Sequence, residues 1–558
     1  MDPEPFIYRK PPELATNQSR RYRVAIVGAG PVGLCMALDL AQHGSEVLLL
    51  DEDDKAAEGS RAICFAKRTL EILDRLGVGQ RCVDKGVVWN VGKVFLRDRQ
   101  LYEFHLQPEP GHKRPAFINL QQYYLEAFLA AKLAETGRAD LRWRNRVTAV
   151  APRPDGVNVT VSTPDGEYRF DCEYLIAADG SRSPIRGMLG LEAKGQVFRD
   201  RFLIADVHMQ ARFPTERWFW FDPPFHPGQS VLLHRQADDV WRIDFQLGWD
   251  ADPDAERQPE RVCARIRSML GPDHPFELKW VSVYTFRCQR MERFRHGRVF
   301  FVGDAAHQVS PFGARGANSG IQDADNLAWK LALVLAGQAT DVLLDSYDAE
   351  RIPAADENIL NSTRSTDFIT PKSAISRTFR DATLQLAEKH PFARRLVNSG
   401  RLSLPHTYVH SPLDTPDHDR FGGRVSPGAP ALDAPLGTPA GRVWLLDQIG
   451  GGFVAAYYLD AHGPLPGDII DALGKMRPAV RLIIVQPSGV ASTLGAPPDV
   501  TMFVDVEGLF QQRYEAAPGC LYLFRPDQHL AARWRQADRS SVQSAVARAA
   551  CLREAQTA

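Results

Sequence analysis

The 558-residue chain lacks most of the features that mark specialised classes of protein. Neither charge is in excess, because 67 Lys and Arg residues face 68 Asp and Glu residues. This balance argues against the basic surface of a nucleic-acid or membrane-surface protein. No apolar run approaches the roughly 18 residues needed to cross a bilayer. The polar first 20 residues lack the apolar core of a signal peptide and read as an N-terminal extension.

Paired cysteines are also missing. No two of the eight cysteines form C-x-x-C, so neither a zinc ribbon nor a dithiol redox motif is expected, and no metal site is predicted. Scattered cysteines are typical of a reducing compartment, which predicts a cytoplasmic protein. The ordinary hydrophobic content of 44% indicates a globular chain, and its length suggests three or four domains.

The first ordered pattern is strand, glycine turn, helix, strand and acid. An apolar run at 23–27 enters the turn at 28–33, and helical spacing follows as far as Gly44. A second apolar run, 47–50, ends in the acidic pair Asp51 and Glu52. The turn has the form G-x-G-x-x-G, and its candidate cofactor-binding residues are Gly28, Gly30, Pro31 and Gly33.

Each residue of this pattern has a physical role in binding a dinucleotide. Gly28 permits the tight turn, Gly30 lets a pyrophosphate approach the backbone, and Gly33 lets the helix pack closely on the strand. The helix N-terminus offers free N–H groups to phosphates. Asp51 follows Gly28 by 23 residues, as expected for a ribose-binding acid. The pattern predicts dinucleotide binding but does not distinguish FAD from NAD.

Two further strand-to-turn segments follow. One is Leu-Ile-Ala-Ala-Asp-Gly at 175–180, and the other is Val-Phe-Phe-Val-Gly-Asp at 299–304. An amphipathic helix is predicted from about Ser319 to Ala336, with Gly337 as its stop.

With these three motifs in order, the chain resembles the group A flavoprotein aromatic hydroxylases, over roughly residues 22–400. That family includes p-hydroxybenzoate, phenol and 3-(3-hydroxyphenyl)propionate hydroxylases. The resemblance implies an α/β fold: a Rossmann-like FAD-binding domain, an inserted, mainly antiparallel substrate sheet, and a C-terminal thioredoxin-like domain, here without C-x-x-C.

The resemblance also implies roles for individual residues. Asp304, after Gly303, would hold a ribityl hydroxyl, and Pro311 would line the flavin ring near the reacting carbon. The N-terminus of the helix after Gly316 would offer the backbone N–H groups of Ala317 and Asn318 to the flavin pyrimidine edge. Other positions implied to lie at the cofactor are Arg61, Gln122 (with Gln121 as an alternative), Val147 and Asp179.

The sequence departs from many relatives in two places. It has Ser310-Pro311 where they have two prolines, and Ala314-Arg315-Gly316 where they have Gly-Gln-Gly. The departures affect contacts at the ring face rather than the fold. His307 is interpreted as a packing or hydrogen-bonding residue rather than a catalyst.

No second strand–G-x-G-x-x-G–helix unit is present. An NADH or NADPH co-substrate would therefore have no Rossmann domain of its own. In the family it binds transiently along the FAD domain, and Arg61 and Arg186 are candidates for contacts with its phosphates.

Residues 195–290 alternate between apolar and polar types and are rich in aromatics, which predicts antiparallel strands at 217–221, 230–235 and 240–247. Alternation places Arg242, Asp244 and Gln246 on one face of their strand. That face is either solvated or in contact with a polar aromatic substrate. The second interpretation makes His234, Arg242, Asp244 and Pro311 catalytic candidates and gives these substrate-contacting candidates: Trp220, His234, Arg242, Gln246 and Tyr284.

The expected domain division is interleaved. The FAD domain takes 21–85, 118–195 and 291–370, and the substrate sheet takes 86–117 and 196–290. A helical connection (371–404), a linker (405–430) and the thioredoxin-like domain (431–558) follow. In that last part, strands are predicted at 441–447 and 520–527.

The predicted activity is NAD(P)H- and O₂-dependent hydroxylation of a phenolic ring ortho or para to its activating group. In the resembled family it proceeds through a flavin C4a-hydroperoxide, with non-covalent FAD. A homodimer is compatible with this interpretation. The alternatives are a flavoprotein oxidase, dehydrogenase or Baeyer–Villiger-type enzyme of the same fold, and a non-catalytic binding protein of the GDP-dissociation-inhibitor type.

Overall fold

A computed structural model describes residues 7–16, 18–54, 62–106, 109–211, 213–397, 403–459, 467–489 and 500–552. Within these ranges the chain forms four β-sheets with helices packed around them. Arg61 lies outside the described residues.

The strands are β1 (Arg21–Val27), β2 (Val47–Leu50), β3 (Cys64–Ala66), β4 (Val87–Trp89), β5 (Val91–Leu96), β6 (Arg99–His105), β7 (Phe117–Asn119), β8 (Ala139–Arg142), β9 (Arg146–Arg153), β10 (Gly156–Thr163), β11 (Gly166–Ala177), β12 (Ala193–His208), β13 (Arg217–Phe221), β14 (Ser230–Arg235), β15 (Val240–Leu247), β16 (Glu277–Met291), β17 (Arg295–His296), β18 (Val299–Phe301), β19 (His307–Gln308), β20 (Pro435–Thr438), β21 (Gly441–Trp444), β22 (Phe453–Tyr458), β23 (Val480–Pro487), β24 (Thr501–Asp505), β25 (Leu521–Phe524) and β26 (Leu530–Trp534).

The α-helices are α1 (Pro12–Thr16), α2 (Pro31–Gln42), α3 (Lys67–Arg75), α4 (Gly79–Lys85), α5 (Gln122–Glu135), α6 (Pro184–Met188), α7 (Pro253–Glu256), α8 (Pro259–Leu270), α9 (Gly316–Leu335), α10 (Ser346–Ile369), α11 (Ala374–Ala387), α12 (Pro391–Val397), α13 (Leu445–Gln448), α14 (Gly467–Gly474), α15 (Leu509–Tyr514) and α16 (Arg539–Ala549). Two 3₁₀ turns span Gly303–Ala305 and Asp341–Asp345.

The first sheet brings the three sequence motifs together. Its strand order is β17-β18-β11-β1-β2-β8, and β18, β11, β1, β2 and β8 run parallel. The four residues of β2 and the last four of β1 are buried, as expected for strands covered on both faces. Because the carboxyl ends of parallel strands meet at one edge, Gly28, Asp179 and Gly303 lie along the same edge.

The second sheet has the order β19-β16-β12-β15-β14-β13-β5-β6. Strict alternation divides its side chains between two apolar clusters. Trp241, Ile243 and Phe245 of β15 belong to one cluster, whereas Phe202 and Leu232 belong to the other, which faces Phe312. The polar residues Arg242 and Asp244 lie on the same side as Leu232, because β14 and β15 pair Leu232 with Asp244.

The third sheet, β21-β20-β24-β23-β22-β25-β26, is built from residues 435–534. One of its faces packs against α9, where Trp329 meets Phe453 edge-to-face at 5.9 Å between ring centroids. The predicted strand at 441–447 is shorter than expected: β21 ends at Trp444, and α13 begins at Leu445. None of the helices in the described ranges combines the length and the apolar character that crossing a membrane requires.

Candidate active site

A cavity of about 460 Å³ lies between the glycine-rich edge of the first sheet and one face of the second. It brings together most of the predicted site residues. Those lining it are Gly28, Gly30, Pro31, Asp51, Glu52, Gln122, Val147, Asp179, His234, Arg242, Asp244, Tyr284, Asp304, Pro311, Gly316, Ala317 and Asn318.

Two predicted substrate contacts need correction. Trp220 lies in the apolar cluster on the other face of the second sheet, where its ring stacks on Phe95 at 5.2 Å. Gln246 is buried outside the cavity lining, and its side-chain oxygen accepts a hydrogen bond from the Ser230 N–H at 3.0 Å. The register explains Trp220: it pairs with Val231, whose side chain points away from the cavity.

The first glycine turn is shaped for close approach to a ligand. Gly28 has φ +104°, and a Cβ there would lie 2.4 Å from the Ala178 carbonyl oxygen. A Cβ on Gly33 would meet the Gly28 carbonyl oxygen, so this glycine allows α2 to pack on the turn. A Cβ on Gly30 would meet no atom within 4 Å, because that side of the backbone faces the cavity.

The carboxylates near the glycine turn differ in the hydrogen bonds that they accept from the protein. Asp51 accepts hydrogen bonds from the Ala29 and Asp53 N–H groups, and burial raises its pKa. Glu52 is exposed and lies 3.7 Å from Arg146. One oxygen of Asp179 accepts from the Ile185 N–H at 3.0 Å, while the other is buried without a hydrogen-bond partner.

The N-terminus of α9 also lines the cavity. The Ser319 N–H donates to the Arg315 carbonyl at 2.8 Å, so the amides of 316–318 precede the first intrahelical bond and are available to a ligand. The Asn318 side chain is engaged elsewhere: its oxygen accepts from the Ala66 N–H and the Thr69 hydroxyl. Asn318 can therefore present its backbone to the cavity while its side chain fixes α9 to β3.

FAD fits this arrangement. The open space beside Gly30 accommodates a pyrophosphate near the α2 N-terminus, and the amides of 316–318 suit the electron-rich edge of a flavin. Gln122 lines the same cavity and accepts from the Ala62 N–H at 3.1 Å. Gln121, the alternative, instead donates to the Ala237 carbonyl outside the cavity lining.

His307 and Arg186 both have structural partners. His307 is buried, with its Nε2 2.6 Å from Asp323, whose same oxygen also accepts from the Gly303 N–H. This agrees with its interpretation as a hydrogen-bonding residue. Arg186 donates to the carbonyls of Ala305 and Ser181 and lies outside the cavity lining.

The second sheet supplies a polar wall to the cavity. Arg242 donates through two nitrogens to both carboxylate oxygens of Asp206, each at 2.8 Å, so its charge is neutralised. His234 is buried beside Asp244, with 3.5 Å between Nε2 and Oδ2 and no hydrogen bond on either ring nitrogen from the described residues. Burial and the Arg217 guanidinium lower the pKa of His234 to about 4, so its imidazole is neutral at physiological pH.

Arg217 was not identified as a site residue from the sequence. It lies at the start of β13, is buried and lines the cavity. The alternation Arg-Trp-Phe-Trp-Phe was the available signal, because Arg217 shares a face with Phe219 and Phe221. Other lining residues that were missed are Phe202, Ile204, Leu232, Trp280 and Phe312.

The neutral state of His234 predicts a pH dependence of stability. The unfolded chain takes up a proton at this histidine below pH 6.5, whereas the buried ring resists protonation until about pH 4. Stability therefore falls as the pH drops from 6.5, by about 2 kcal/mol at pH 5 for this residue. We expect His234→Gln to remove this loss when urea unfolding is compared at pH 7.5 and 5.0. The same replacement at exposed His105 serves as the control, and equal pH dependence of both variants would contradict the assignment.

Comparison with known proteins agrees with this geometry. The model of a family described as FAD binding domain matches residues 21–362. The chain belongs to the group A flavin-dependent monooxygenases. This confirms the resemblance drawn from the three motifs and FAD as the cofactor.

Two relatives illustrate the range of this flavin monooxygenase family. The 6-methylpretetramide 4-monooxygenase of Streptomyces rimosus is 34% identical over 421 residues, covering 73% of each chain. The 3-(3-hydroxyphenyl)propionate/3-hydroxycinnamic acid hydroxylase of Mycolicibacterium smegmatis is 28% identical over 526 residues, covering 91% of this chain and 90% of the relative.

Solved structures share the fold. The flavin-dependent monooxygenase PieE, solved with FAD and substrate, superposes with a TM-score of 0.79 at 24% identity. That match covers 96% of this chain and 99% of the other. The ternary complex of aklavinone-11 hydroxylase gives 0.76 at 22% identity, over 96% and 100% of the two chains.

Proposed function

We propose that this flavin monooxygenase hydroxylates a phenolic or related aromatic substrate, using NADH or NADPH and O₂. The observation that carries the proposal is the continuity of the cavity. A single space reaches from the pyrophosphate cradle at Gly30 past Pro311 to the polar wall of His234 and Asp244. A cofactor at one end would therefore meet a substrate at the other.

FAD, when bound, supplies the redox chemistry: it accepts electrons from NAD(P)H and activates O₂. The protein supplies position and charge. The amides of 316–318 at the α9 N-terminus would stabilise negative charge on the edge of the bound ring. Pro311 and Phe312 line the cavity and would border the bound ring, where apolar side chains would help to exclude water.

On the substrate side, His234 and Asp244 are the groups able to accept a proton from a phenol. The buried neutral imidazole has both ring nitrogens free of hydrogen bonds to the described residues, and Asp244 has a buried oxygen in the same state. A phenol within hydrogen-bond reach of either group would become electron-rich as its proton leaves. Hydroxylation ortho or para to that oxygen follows.

Arg242 acts in this proposal through its partner rather than as a free cation. Its bidentate pair with Asp206, together with the Gln236 amide on the same carboxylate, holds the guanidinium over the Trp280 ring at 5.6 Å. The pair would therefore shape the pocket. Tyr284, from β16, would complete the wall.

The remaining parts of the chain take supporting roles in the proposal. The second sheet would form the substrate domain, and residues 431–558 would form a thioredoxin-like domain without a dithiol. A reducing, cytoplasmic setting is supported by eight cysteines that form no disulfide. NAD(P)H would bind transiently along the FAD domain.

The assay that tests the proposal is NAD(P)H oxidation by the FAD-loaded protein across a panel of phenols and hydroxylated aromatic acids. We expect at least one panel member to increase the rate of NAD(P)H oxidation about 10-fold or more over the ligand-free rate. The product should contain one additional hydroxyl. Consumption that is independent of every aromatic ligand, with hydrogen peroxide as the only product, would identify an oxidase instead.

A further inference from the structure

Arg217 is a buried cation to which the described residues offer no ion-pair partner. Only 4% of its surface is exposed, yet its Nε and one terminal nitrogen, Nη1, make no hydrogen bond. Asp244, the carboxylate that acts on it, is not within ion-pair distance. Burying an unpaired guanidinium is costly unless something compensates for it.

The protein holds this guanidinium in place without neutralising it. Its carbon lies 4.9 Å above the Phe219 ring centroid and 5.8 Å from that of Trp89. These aromatic faces attract a cation. Arg217 lines the cavity together with His234 and Asp244, while its Nε and Nη1 are buried without an acceptor from the described residues.

The other arginine of this wall provides the contrast. Arg242 lies equally deep but is saturated by Asp206, so it has no need of a ligand. Trp218 of β13 pairs with Leu233 of β14, so the preceding residue, Arg217, lies beside His234. His234 in turn pairs with Arg242 of β15. A substrate oxygen in the cavity could therefore lie against the Arg217 guanidinium and beside His234.

We propose that Arg217 is the substrate-specificity residue of the cavity and binds an anionic oxygen of the substrate, a carboxylate or an ionised phenol or enol. The inference rests on the proposed function and adds the substrate class: aromatic compounds with an acidic oxygen. Such a pair would be charge-assisted, and a carboxylate could engage the guanidinium through two parallel hydrogen bonds.

Binding to the oxidised FAD-loaded protein, without NAD(P)H, tests this inference separately from turnover. The carboxylate arm compares 3-hydroxycinnamate with its methyl ester, followed through the flavin absorbance. The phenolate arm follows the pKa of bound 4-nitrophenol through its own absorbance. We expect either the acid to bind about 10- to 100-fold more tightly than the ester, or the pKa of the bound phenol to fall by at least about one unit.

Arg217→Gln should abolish whichever preference the wild-type protein shows, and Arg217→Lys should restore part of it. Removing an unpaired buried charge is not expected to impair folding, and unchanged FAD content would verify this. Arg235→Gln is the matched control, because Arg235 is the neighbouring arginine on β14 and lies outside the cavity lining.

Three results would overturn the inference. One is wild-type protein that shows no preference in either arm or binds neither probe. Another is an Arg217→Gln variant that retains the wild-type preference. The third is a variant whose main defect is weakened FAD affinity, which would assign Arg217 to the cofactor. Turnover of aromatic compounds in the panel assay could still stand in each case.

Discussion

Replacing Gly30 with valine is expected to give a folded protein that no longer retains FAD. The backbone at Gly30 has φ −70° and ψ −178°, which any L-residue adopts. An added Cβ meets no protein atom within 4 Å. The side chain would instead occupy the part of the cavity where a pyrophosphate would approach the α2 N-terminus.

The expected size of the effect follows from the hydrogen bonds that the pyrophosphate could no longer make. Excluding a phosphate from two backbone N–H groups removes about 3–5 kcal/mol, which weakens FAD binding about 10²- to 10⁴-fold. The measurements are the flavin absorbance of purified protein and FAD titration by fluorescence quenching.

Gly248→Val is the control for the Gly30 variant. Gly248 follows β15, is exposed, and would also meet no atom within 4 Å with an added Cβ. It lies outside the cavity lining, so this variant should remain yellow. A Gly30→Val protein with a full complement of FAD would contradict the placement of the cofactor.

The second large effect is expected at Glu350, where the C-terminal sheet meets the FAD-binding part. The Glu350 carboxylate is fully buried and accepts hydrogen bonds from Arg525, Lys330, Asn326 and Ser411. Burial opposes its ionisation, but Arg525 and Lys330 outweigh burial and hold its pKa well below the ordinary value.

Glu350→Gln would keep the shape and remove the negative charge. Two buried cations would then face an amide that also presents N–H groups to their donors. Breaking one side of such a network costs about 3–5 kcal/mol. For a chain of 558 residues, with an unfolding entropy of about 2.1 cal/mol/K per residue, this is about 2.5–4 °C in melting temperature. Glu388→Gln, which breaks the more exposed pair with Arg99, should change stability by less than about 1 kcal/mol.

The sign of the pH dependence gives a second readout for Glu350. A carboxylate with a depressed pKa stabilises the fold above its ordinary pKa of 4.5, and this contribution is lost as the pH falls through the depressed value. The advantage of the wild type over Glu350→Gln should therefore shrink below about pH 4.5. Melting within about 1 °C of the wild type at pH 7 would contradict this account, because that limit lies below the roughly 2.5 °C minimum expected.

The Glu350 network has a consequence for the flavin site. The next residue of α10, Arg351, donates to Asp323 at 2.7 Å, and Asp323 accepts from the Gly303 N–H of the Gly-Asp motif. Glu350 and Arg351, which are adjacent in α10, therefore connect the C-terminal sheet with the Gly-Asp motif at the edge of the first sheet. FAD release during heating of Glu350→Gln should accompany unfolding at the lowered temperature.

Local patterns in the sequence, together with the family resemblance that they carry, predicted most of the residues in the cofactor half of the cavity. The apolar runs before Gly28, Asp179 and Gly303 each form a buried parallel strand, and parallel strands bring their carboxyl ends to one edge. Glycine spacing, helix N-termini and strand ends are short-range features. For that reason most residues placed at the cofactor from the sequence line the cavity.

The substrate half depends on contacts that short-range patterns do not encode. Alternation in β13 places Arg217 and Phe219 on one face and Trp220 on the other. It does not tell which of the two faces lies toward the cofactor. That choice depends on pairing with β14, where Trp220 meets Val231. The Glu350–Arg525 pair joins residues 175 positions apart, so no local pattern could reveal it.

The central claim is that this flavin monooxygenase places one oxygen atom on an aromatic ring. The most direct measurement is turnover of an accepted phenol under ¹⁸O₂ in ordinary water, followed by mass spectrometry of the product. The account predicts one ¹⁸O atom per product molecule, on the ring carbon ortho or para to the phenolic oxygen. Product without the label, or hydrogen peroxide equal to all the NAD(P)H consumed, would contradict it.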